Sequence, residues 1–418
     1  MAEQLAINGG ERLPCVVEAP PWPPRDKDIE DELLDAFRNS NWAYVPEGLQ
    51  DTLAREFCQA HGVRYGAFLS NATTALLASL IALDIGPGDE VILPAFTCPT
   101  TVMPVMLLGA TPVFVDCDPN TLCLASEQVA GALTARTRAI IAVHMYTAIA
   151  DLDALCEIAM RQQIALIEDC AHVPGGRWGE TPVGSAGAVG CFSFQARKTI
   201  TSGEGGMVIT SDPVLFERIH RFVHVGKPYA LQIDARAELS FLRSINASAS
   251  TFQAAVVLAQ FRKLDQRLEA YRRTYSLLTE RLAGRGIVRL QHKGDKATRQ
   301  SFFKICLIFD CGPLSRVAID ALIQAAVAEG LPLRRTYGAA YLDMRLANVM
   351  KASGWTRGAC PVAEAVAMER TAIMDHWWLA AGEAGVDFIC SVLERLSRNA
   401  ESIPPAEGPK KKSLFSKI

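Results

Sequence analysis

The sequence lacks the patterns that mark zinc-binding, redox-active or membrane-spanning proteins. Its 12 cysteines are scattered and include no CxxC pair, so neither a zinc site nor a dithiol motif is indicated. No apolar run is long enough to span a membrane without a charge or a proline. The first residues, Met1 to Gln4, do not resemble a signal peptide. We therefore expect reduced thiols and a cytoplasmic protein.

An excess of charge of one sign is also missing. The formal net charge is −3 and the pI is near 6.2, which does not favour nucleic acid as a partner. Hydrophobic residues, by contrast, make up 50% of the 418 positions, which is enough for a large core. A chain of this length suggests two or three domains, or one large domain with a smaller companion.

Short apolar strands alternate with helical stretches from about residue 65 to residue 210. Continuous apolar strands separated by helices predict an α/β fold whose central sheet is mostly parallel and covered by helices on both faces. In sheets of this kind ligands bind at the carboxyl ends of the strands. We therefore look for functional side chains just after the strands.

The remaining pattern divides the chain into four parts. Residues 1–30 are rich in proline, with Pro20-Pro-Trp-Pro-Pro24, and predict an extended arm. Residues 31–245 form the large α/β domain, and residues 246–400 a smaller α+β domain. Residues 401–418 contain three prolines and three consecutive lysines and predict a disordered tail.

One long motif contains a single lysine in an unusual setting. It reads Phe192-Ser-Phe-Gln-Ala-Arg-Lys-Thr-Ile-Thr-Ser-Gly-Glu-Gly-Gly206, so that Lys198 follows an apolar strand and precedes three glycines. Glycines let the backbone approach a ligand closely. A lysine that is partly removed from water can have a lowered pKa and attack a carbonyl group. Taken alone, Lys198 is better explained as a surface lysine before a turn.

Two further segments follow strands and suit a charged ligand. Asp169 comes directly after the strand at 164–168, where its carboxylate would point into a cleft at the sheet edge. The segment Asn71-Ala-Thr-Thr-Ala75 lies between a strand and a helix, where free amides and hydroxyls can bind an anion. Helix capping by Asp169, Asn71 or Thr73 is the simpler alternative for each segment taken alone.

Together these motifs resemble the DegT/DnrJ/EryC1/StrS aminotransferases, fold-type I enzymes that use pyridoxal 5'-phosphate to aminate keto-sugars and cyclitols. The resemblance extends over nearly the whole chain, from about Asn8 to about Leu396. It implies a large domain with a mostly parallel central sheet and a smaller C-terminal α+β domain. The family motif Phe-Ser-Phe-x-x-x-Lys-x-Ile-Thr-x-Gly-Glu-Gly-Gly makes Lys198 the residue that binds the cofactor covalently.

The resemblance also assigns residues around the cofactor ring. Glu168-Asp-Cys-Ala-His172 matches the family's Glu-Asp-x-Ala-His/Gln. It places Asp169 on the pyridine nitrogen, Ala171 on one face of the ring and His172 near the phenolic oxygen. A buried structural histidine is the alternative for His172. Asp169 and Lys198 are thus the predicted catalytic pair.

For the cofactor phosphate the family uses a Ser-Gly-Thr-Ala-Ala-Leu segment. This sequence keeps the threonine as Thr73 but has Ala72 where glycine is usual and Thr74 where alanine is common. Ser193, five residues before Lys198, matches a second phosphate-binding residue. We expect Ala72, Thr73 and Ser193 to surround the phosphate.

Two positions depart from the family pattern. Relatives stack an aromatic residue on the pyridine where this chain has Cys98, so either Phe96 takes over or the ring is covered differently. Phe96 as a plain core residue is the alternative. Asn246 matches an asparagine that relatives send to the phosphate of the neighbouring subunit, although Ser248 and Ala249 replace the following Arg-Met. This predicts a homodimer with shared active sites, unless Asn246 merely caps the next helix.

The predicted reaction moves an amino group from glutamate or glutamine to a keto-sugar, nucleotide-linked in our interpretation, or to a keto-cyclitol. The start at Asn8-Gly-Gly and the proline-rich arm are similar to a subgroup that makes aminocyclitols and aminohydroxybenzoate. Tyr146 is a weaker candidate for contacting a substrate hydroxyl. A sugar dehydratase on the same scaffold is disfavoured, because such relatives replace the lysine with histidine. A non-catalytic regulatory homologue is disfavoured by the intact Asp169 and Lys198, but Cys98 keeps it open.

Overall fold

The computed structural model of the protein describes residues 4–15, 20–229, 244–343, 346 and 360–406. The α-helices of this part of the chain are Lys27–Asn39 (α1), Leu49–His61 (α2), Ala72–Ala82 (α3), Pro99–Leu107 (α4), Ser126–Ala132 (α5), Leu152–Gln162 (α6), Pro213–Val223 (α7), Thr251–Phe261 (α8), Leu264–Leu282 (α9), Ile319–Glu329 (α10) and Gly382–Arg398 (α11). Among the described residues, no helix combines the length and the apolar character needed to cross a membrane.

The strands of the described chain are Tyr65–Leu69 (β1), Glu90–Pro94 (β2), Thr111–Val115 (β3), Thr137–Val143 (β4), Ala165–Asp169 (β5), Arg177–Trp178 (β6), Thr181–Pro182 (β7), Val189–Ser193 (β8), Gly206–Thr210 (β9), Arg289–Leu290 (β10), Ala297–Arg299 (β11), Lys304–Ile308 (β12), Arg334–Arg335 (β13) and Thr371–Asp375 (β14).

The large central sheet has the strand order β1-β9-β8-β5-β4-β2-β3. Strands β3, β2, β4, β5 and β8 run parallel, whereas β9 pairs antiparallel with both β8 and β1. This confirms the predicted α/β fold with a mostly parallel sheet. It also places the carboxyl ends of β5 and β8 side by side, because Asp169 and Cys191 are register partners.

Helices cover both faces of this sheet. Successive residues of β8 point to opposite faces of the sheet and join different hydrophobic clusters. Cys191 packs with the cluster that includes α3 and α4, and Phe192 packs with the cluster that includes α2, α8 and α9. Both side chains are fully buried. Strands buried on both faces lose the polar–apolar alternation of half-exposed strands, which explains their continuous apolar sequences.

The C-terminal part is built on a smaller antiparallel sheet with the order β10-β12-β14-β13. Strands β12 and β14 form its centre, and Lys304 opposes Asp375 at one end of their ladder. A third sheet, β11-β6-β7, joins the two halves of the chain, because β11 pairs with β6. The antiparallel strands and the helices α9 to α11 match the predicted α+β character of this region.

Breaks and turns set several element boundaries. The helical stretch after Ser250 is broken between Phe261 and Leu264. Helix α10 begins at Ile319, because Pro313–Arg316 forms a separate 3-10 turn first. The arm is shorter than predicted, since α1 begins at Lys27.

Two segments can be followed only in part. Most of the segment at 226–245, between α7 and α8, lies outside the described residues. The same holds for the predicted disordered tail, whose described beginning contains a 3-10 turn at Ala400–Ser402. The four-part domain division remains a prediction.

Candidate active site

A cavity of about 940 Å³ opens at the carboxyl ends of the central strands. Elements that are distant in the sequence contribute to its wall, including the start of α3, the end of β5 and the turn after β8. Most of the residues predicted from the sequence meet here: Ala72, Thr73, Asp169, Ala171, His172, Ser193 and Lys198.

Lys198 lies in the turn after β8, where its backbone amide donates to the carbonyl of Gln195 at 2.8 Å. Its side chain is buried, and Nζ is 3.9 Å from the ring centroid of Phe303. Burial lowers the pKa of Lys198 from 10.5 to about 8. With such a pKa, about a tenth of the amine is neutral at pH 7, against fewer than roughly one in a thousand for an ordinary lysine. This lysine can therefore act as a nucleophile and as a base.

Two side chains hold the Lys198 turn from outside the central sheet. The Trp22 indole donates to the carbonyl of Ala196 at 2.9 Å, and Arg267 on α9 donates to the carbonyl of Thr199 at 2.8 Å. Arg267 also lies 5.4 Å from the Trp22 ring, a cation–π contact. The proline-rich arm and α9 thus fix the backbone on either side of Lys198, a role that the sequence did not indicate.

Asp169 is the last residue of β5 and is almost fully buried. Its carboxylate accepts hydrogen bonds from the Thr101 hydroxyl at 2.9 Å and from the Ala171 amide at 3.1 Å. Burial raises the pKa of Asp169, whereas these two hydrogen bonds and the charge of Lys198 oppose that rise. The site thus stabilises a buried carboxylate that can hold a proton on a basic nitrogen.

His172 has one tautomer fixed by its surroundings. The backbone amide of Tyr146 donates to Nδ1 at 3.1 Å, which leaves Nε2 as the protonated nitrogen. The ring stacks on Phe303 with centroids 4.2 Å apart. Burial lowers the pKa of His172 well below its usual value, so the ring is neutral. His172 can donate one hydrogen bond into the cavity without adding charge.

Tyr146 itself is fully buried and is not part of the cavity wall.

The start of α3 lies at one end of the cavity. The Asn71 side chain accepts from the Thr74 amide at 2.8 Å, so the capping expected as an alternative is present. The amides of Ala72 and Thr73 have no acceptor within the helix, because they belong to its first turn. A Cβ on Gly206 would lie 2.5 Å from the carbonyl carbon of Asn71, so only glycine lets β9 pass this close to the helix start. Capping and anion binding are compatible here.

Phe96 does not lie in the cavity wall. It is fully buried, with its ring 6.2 Å from that of Tyr146, as the plain-core alternative expected. Cys98 does line the cavity, and its sulfur accepts from the Thr100 hydroxyl at 2.9 Å. The aromatic side chains of the wall come instead from Phe303 and Tyr337, in the C-terminal region. The sequence around Phe303 and Tyr337 contains no motif that would have predicted this. Phe303 precedes a short strand and Tyr337 follows one.

Asn246 is exposed and lies outside the cavity of its own chain. Its backbone pairs with His224 in an isolated bridge. Helix α8 is capped by a reciprocal pair, Ser250 with Gln253, so Asn246 does not serve as that cap. The geometry is compatible with a contact to a second chain but does not display one.

His144, Glu168 and Cys170 form a buried group beside the site whose potential ligand atoms lie within 4.8 Å of one another. The Glu168 carboxylate already accepts from the amides of Gly184, Ala186 and Gly187, and His144 contacts the same carboxylate at 3.3 Å. Nδ1 of His144 accepts from the Ala150 amide at 3.1 Å. Through these bonds, His144 and Glu168 hold the loops beside the end of β5 in place. This structural role is sufficient to explain why a glutamate precedes Asp169, and it requires no metal ion.

Comparisons with known proteins agree with this geometry. Residues 24–391 match the DegT/DnrJ/EryC1/StrS aminotransferase family. An L-glutamine:2-deoxy-scyllo-inosose aminotransferase of Micromonospora echinospora is 35% identical over 335 residues, which are 78% of this chain and 79% of the relative. An L-glutamine:scyllo-inosose aminotransferase of Streptomyces griseus is 35% identical over 351 residues, 81% of this chain and 82% of the relative.

Among solved structures, 3-amino-5-hydroxybenzoic acid synthase superposes with a TM-score of 0.81 at 28% identity. The superposition covers 91% of this chain and 99% of the synthase. A DegT/DnrJ/EryC1/StrS aminotransferase from Brucella abortus gives a TM-score of 0.76 at 26% identity, with 88% of this chain and 95% of that chain covered.

The lowered pKa of Lys198 predicts an unusual pH dependence of its reactivity. We expect reductive methylation of the cofactor-free protein, followed by peptide mass mapping, to modify Lys198 half-maximally near pH 8, because the neutral amine is the reactive form. Lys296 is the control, since it is exposed and its ion pair with Asp153 raises its pKa. Methylation of Lys198 that rises only together with that of Lys296 would show that the amine is not desolvated.

Proposed function

The chain belongs to the DegT/DnrJ/EryC1/StrS aminotransferase family, and from its site we propose that it transfers the amino group of glutamine to a keto-cyclitol of the scyllo-inosose type. The observation that carries the proposal is the buried pair of Lys198 and Asp169 in one cavity. The names of relatives at 35% identity support the keto-cyclitol, which the sequence offered beside a nucleotide-linked keto-sugar. Glutamine is the donor that those names give.

The cavity fits pyridoxal phosphate, the cofactor of this family. An anionic phosphate suits the amides of Ala72 and Thr73 together with the hydroxyls of Thr73 and Ser193. A basic pyridine nitrogen suits the buried Asp169 carboxylate, and an aldehyde suits the Lys198 amine. The close approach of Gly206 to the start of α3 keeps this end open for the phosphate. We therefore assign these residues to the cofactor.

When bound, pyridoxal phosphate supplies an electron sink that makes the Cα–H bond of an amino acid acidic. Asp169 holds the proton on the pyridine nitrogen, because a buried anion next to that nitrogen stabilises the cation. Lys198 takes the proton from the donor Cα with its neutral Nζ and returns it later in the transfer. Phe303 and His172 form an apolar wall beside that amine, which keeps water away from it.

The two alternatives raised by the sequence fit the site less well. A dehydratase needs the cofactor without a lysine attached, whereas Lys198 lies in the cavity with a lowered pKa. A non-catalytic homologue would have no need for a buried carboxylate supported by Thr101, because burying it costs free energy. Phe303 and Tyr337 supply aromatic side chains to the cavity that Cys98 also lines, so the Cys98 departure does not leave the cavity without them.

The active unit in this proposal is a homodimer in which Asn246 reaches the phosphate of the partner subunit. Val225 and Ile245, next to Asn246, are apolar, exposed by 57% and 45%, and joined by a backbone hydrogen bond of 3.2 Å. Trp42 and Phe37 are also exposed, and their rings stack with centroids 5.4 Å apart. Exposed apolar groups of this kind are typical of surfaces that a partner covers.

The reaction is tested with glutamine that carries ¹⁵N on the α-amino group. We expect the purified protein with pyridoxal phosphate to place this nitrogen on 2-deoxy-scyllo-inosose, as read by product mass. Lys198→Ala should reduce turnover by several orders of magnitude, whereas Lys296→Ala, a surface control, should retain it. If only a nucleotide-linked keto-sugar is labelled, the keto-cyclitol is the wrong acceptor. If no ketone is labelled, the proposed reaction is rejected.

The shared site is tested by mixing inactive chains. Lys198→Ala and Asn246→Asp chains, combined in equal amounts, should regain about a quarter of wild-type activity, because half of the dimers are mixed and each holds one intact site. Asn246→Asp places a negative charge beside the phosphate and should inactivate its own homodimer.

The control combines Lys198→Ala with Asp169→Asn chains. Both residues serve the same subunit's site, so this mixture should stay inactive. Mixed dimers of Lys198→Ala and Asn246→Asp chains that form and stay equally inactive would show that Asn246 does not act across the interface.

A further inference from the structure

We propose that Lys304 and Arg334, held together by Asp375, form a subsite for the carboxylate group of the amino donor. The subsite lies in the same cavity as Lys198 but on the wall that the C-terminal region supplies. This inference rests on the proposed function. It goes further by assigning one of the two substrates to particular side chains.

Three strand ends of the smaller sheet bring these groups together. Lys304 is the first residue of β12, Asp375 is the last of β14, and the two are directly opposed in the ladder. Arg334 begins β13, the next strand along the sheet. Both cations form ion pairs with the Asp375 carboxylate, Lys304 through one oxygen and Arg334 through the other.

The charges of this group do not cancel. Two cations share one carboxylate, which leaves a net positive charge on this group, while Arg197 and Glu204 add one charge of each sign to the lining. The Lys304 side chain is buried, and this burial lowers its pKa to about 8 although Asp375 opposes the shift. The Arg334 side chain is 37% exposed and lines the cavity, so an anion in the cavity can reach the excess positive charge. The cavity thus contains an incomplete ion cluster that a carboxylate would complete.

The position of the cluster suits an amino acid bound at Lys198. Nζ of Lys198 lies 3.9 Å from the centroid of Phe303, and Nζ of Lys304 lies 4.3 Å from the same centroid. The two amine nitrogens therefore lie no more than about 8 Å apart. In an amino acid the α-amino nitrogen and the carboxylate are joined through a single carbon. A donor whose nitrogen reaches Lys198 can thus direct its carboxylate towards Lys304.

The subsite distinguishes the two substrates by charge. An amino acid donor always carries a carboxylate, whereas a keto-cyclitol carries hydroxyl groups and no charge. Hydrogen bonds to charged groups are stronger than those between neutral groups, so the cluster favours the donor over the acceptor. We assign the acceptor no contact with Lys304.

The test replaces Lys304 with methionine, which keeps an unbranched side chain against Phe303 and removes the charge. Binding of glutarate, an unreactive dicarboxylate, is measured by calorimetry together with the two half-reactions of the loaded enzyme. We expect Lys304→Met to weaken glutarate binding by about 10- to 100-fold and to raise KM for glutamine similarly, the range for a lost charge-assisted hydrogen bond. KM for the ketone should change by less than about twofold.

Two variants serve as controls. Lys296→Met makes the same substitution on the surface and should leave all three values unchanged. Lys304→Arg keeps the charge and should restore most of the glutarate affinity. Should Lys304→Met fail to fold, Arg334→Met replaces it with the same expectations.

The proposal is overturned by equal losses for glutamine and the ketone, which would make the cluster a structural ion pair. It is also overturned by a loss confined to the ketone. A wild-type protein that aminates no ketone contradicts the proposed function instead, because glutarate binding still reports on the subsite.

Discussion

The removal of the Lys198 amine from water is the constraint on which the rest of the site depends. An ammonium group against the face of Phe303 loses hydration, and the protein responds by lowering the pKa of this lysine to about 8. The turn that carries Lys198 must then be held without help from solvent. Trp22 and Arg267 do so by binding the carbonyls on either side of it. The arm, the large sheet and α9 therefore meet at one short turn.

The same constraint explains the buried carboxylate across the cavity. Burial raises the pKa of Asp169, whereas the hydrogen bonds from Thr101 and Ala171 and the charge of Lys198 oppose that rise. The charge of Lys198 thus favours the carboxylate form of Asp169, whereas Asp169 raises the pKa of Lys198 and burial, which lowers it, favours the neutral amine. The smaller antiparallel sheet adds the cations Lys304 and Arg334 to the cavity wall. The large sheet and the smaller sheet therefore contribute different groups to one site.

The sequence predicted the parts of the site that lie in continuous motifs. Lys198, Asp169, Thr73 and Ser193 each follow a strand or begin a helix in the parallel sheet, and alternating strands and helices place such positions at one edge. Phe303, Tyr337 and Lys304 were missed, because they come from a sheet with short strands and reach the cavity only through tertiary packing. Thr101 was missed for a related reason: its partner, Asp169, is 68 residues away.

The fold shows a similar division. The alternation of short apolar strands with helices between residues 65 and 210 was predicted, since such a pattern is a strong signal. Two-residue strands such as β6 and β13 have no periodicity to detect. Phe96 illustrates the limit of transferring a role by sequence position, because packing against Tyr146 in the core, and not its place after β2, decides where its ring lies.

Peptide mapping after borohydride reduction of the protein loaded with pyridoxal phosphate tests the central claim most directly. Two buried lysines with pKa values near 8 line the cavity, Lys198 and Lys304, so the chemistry alone does not choose between them. We predict that the reduced cofactor is found on Lys198 and that Lys304→Met leaves this labelling unchanged. Cofactor found on Lys304, or spread over surface lysines while Lys198 stays unmodified, would contradict the account.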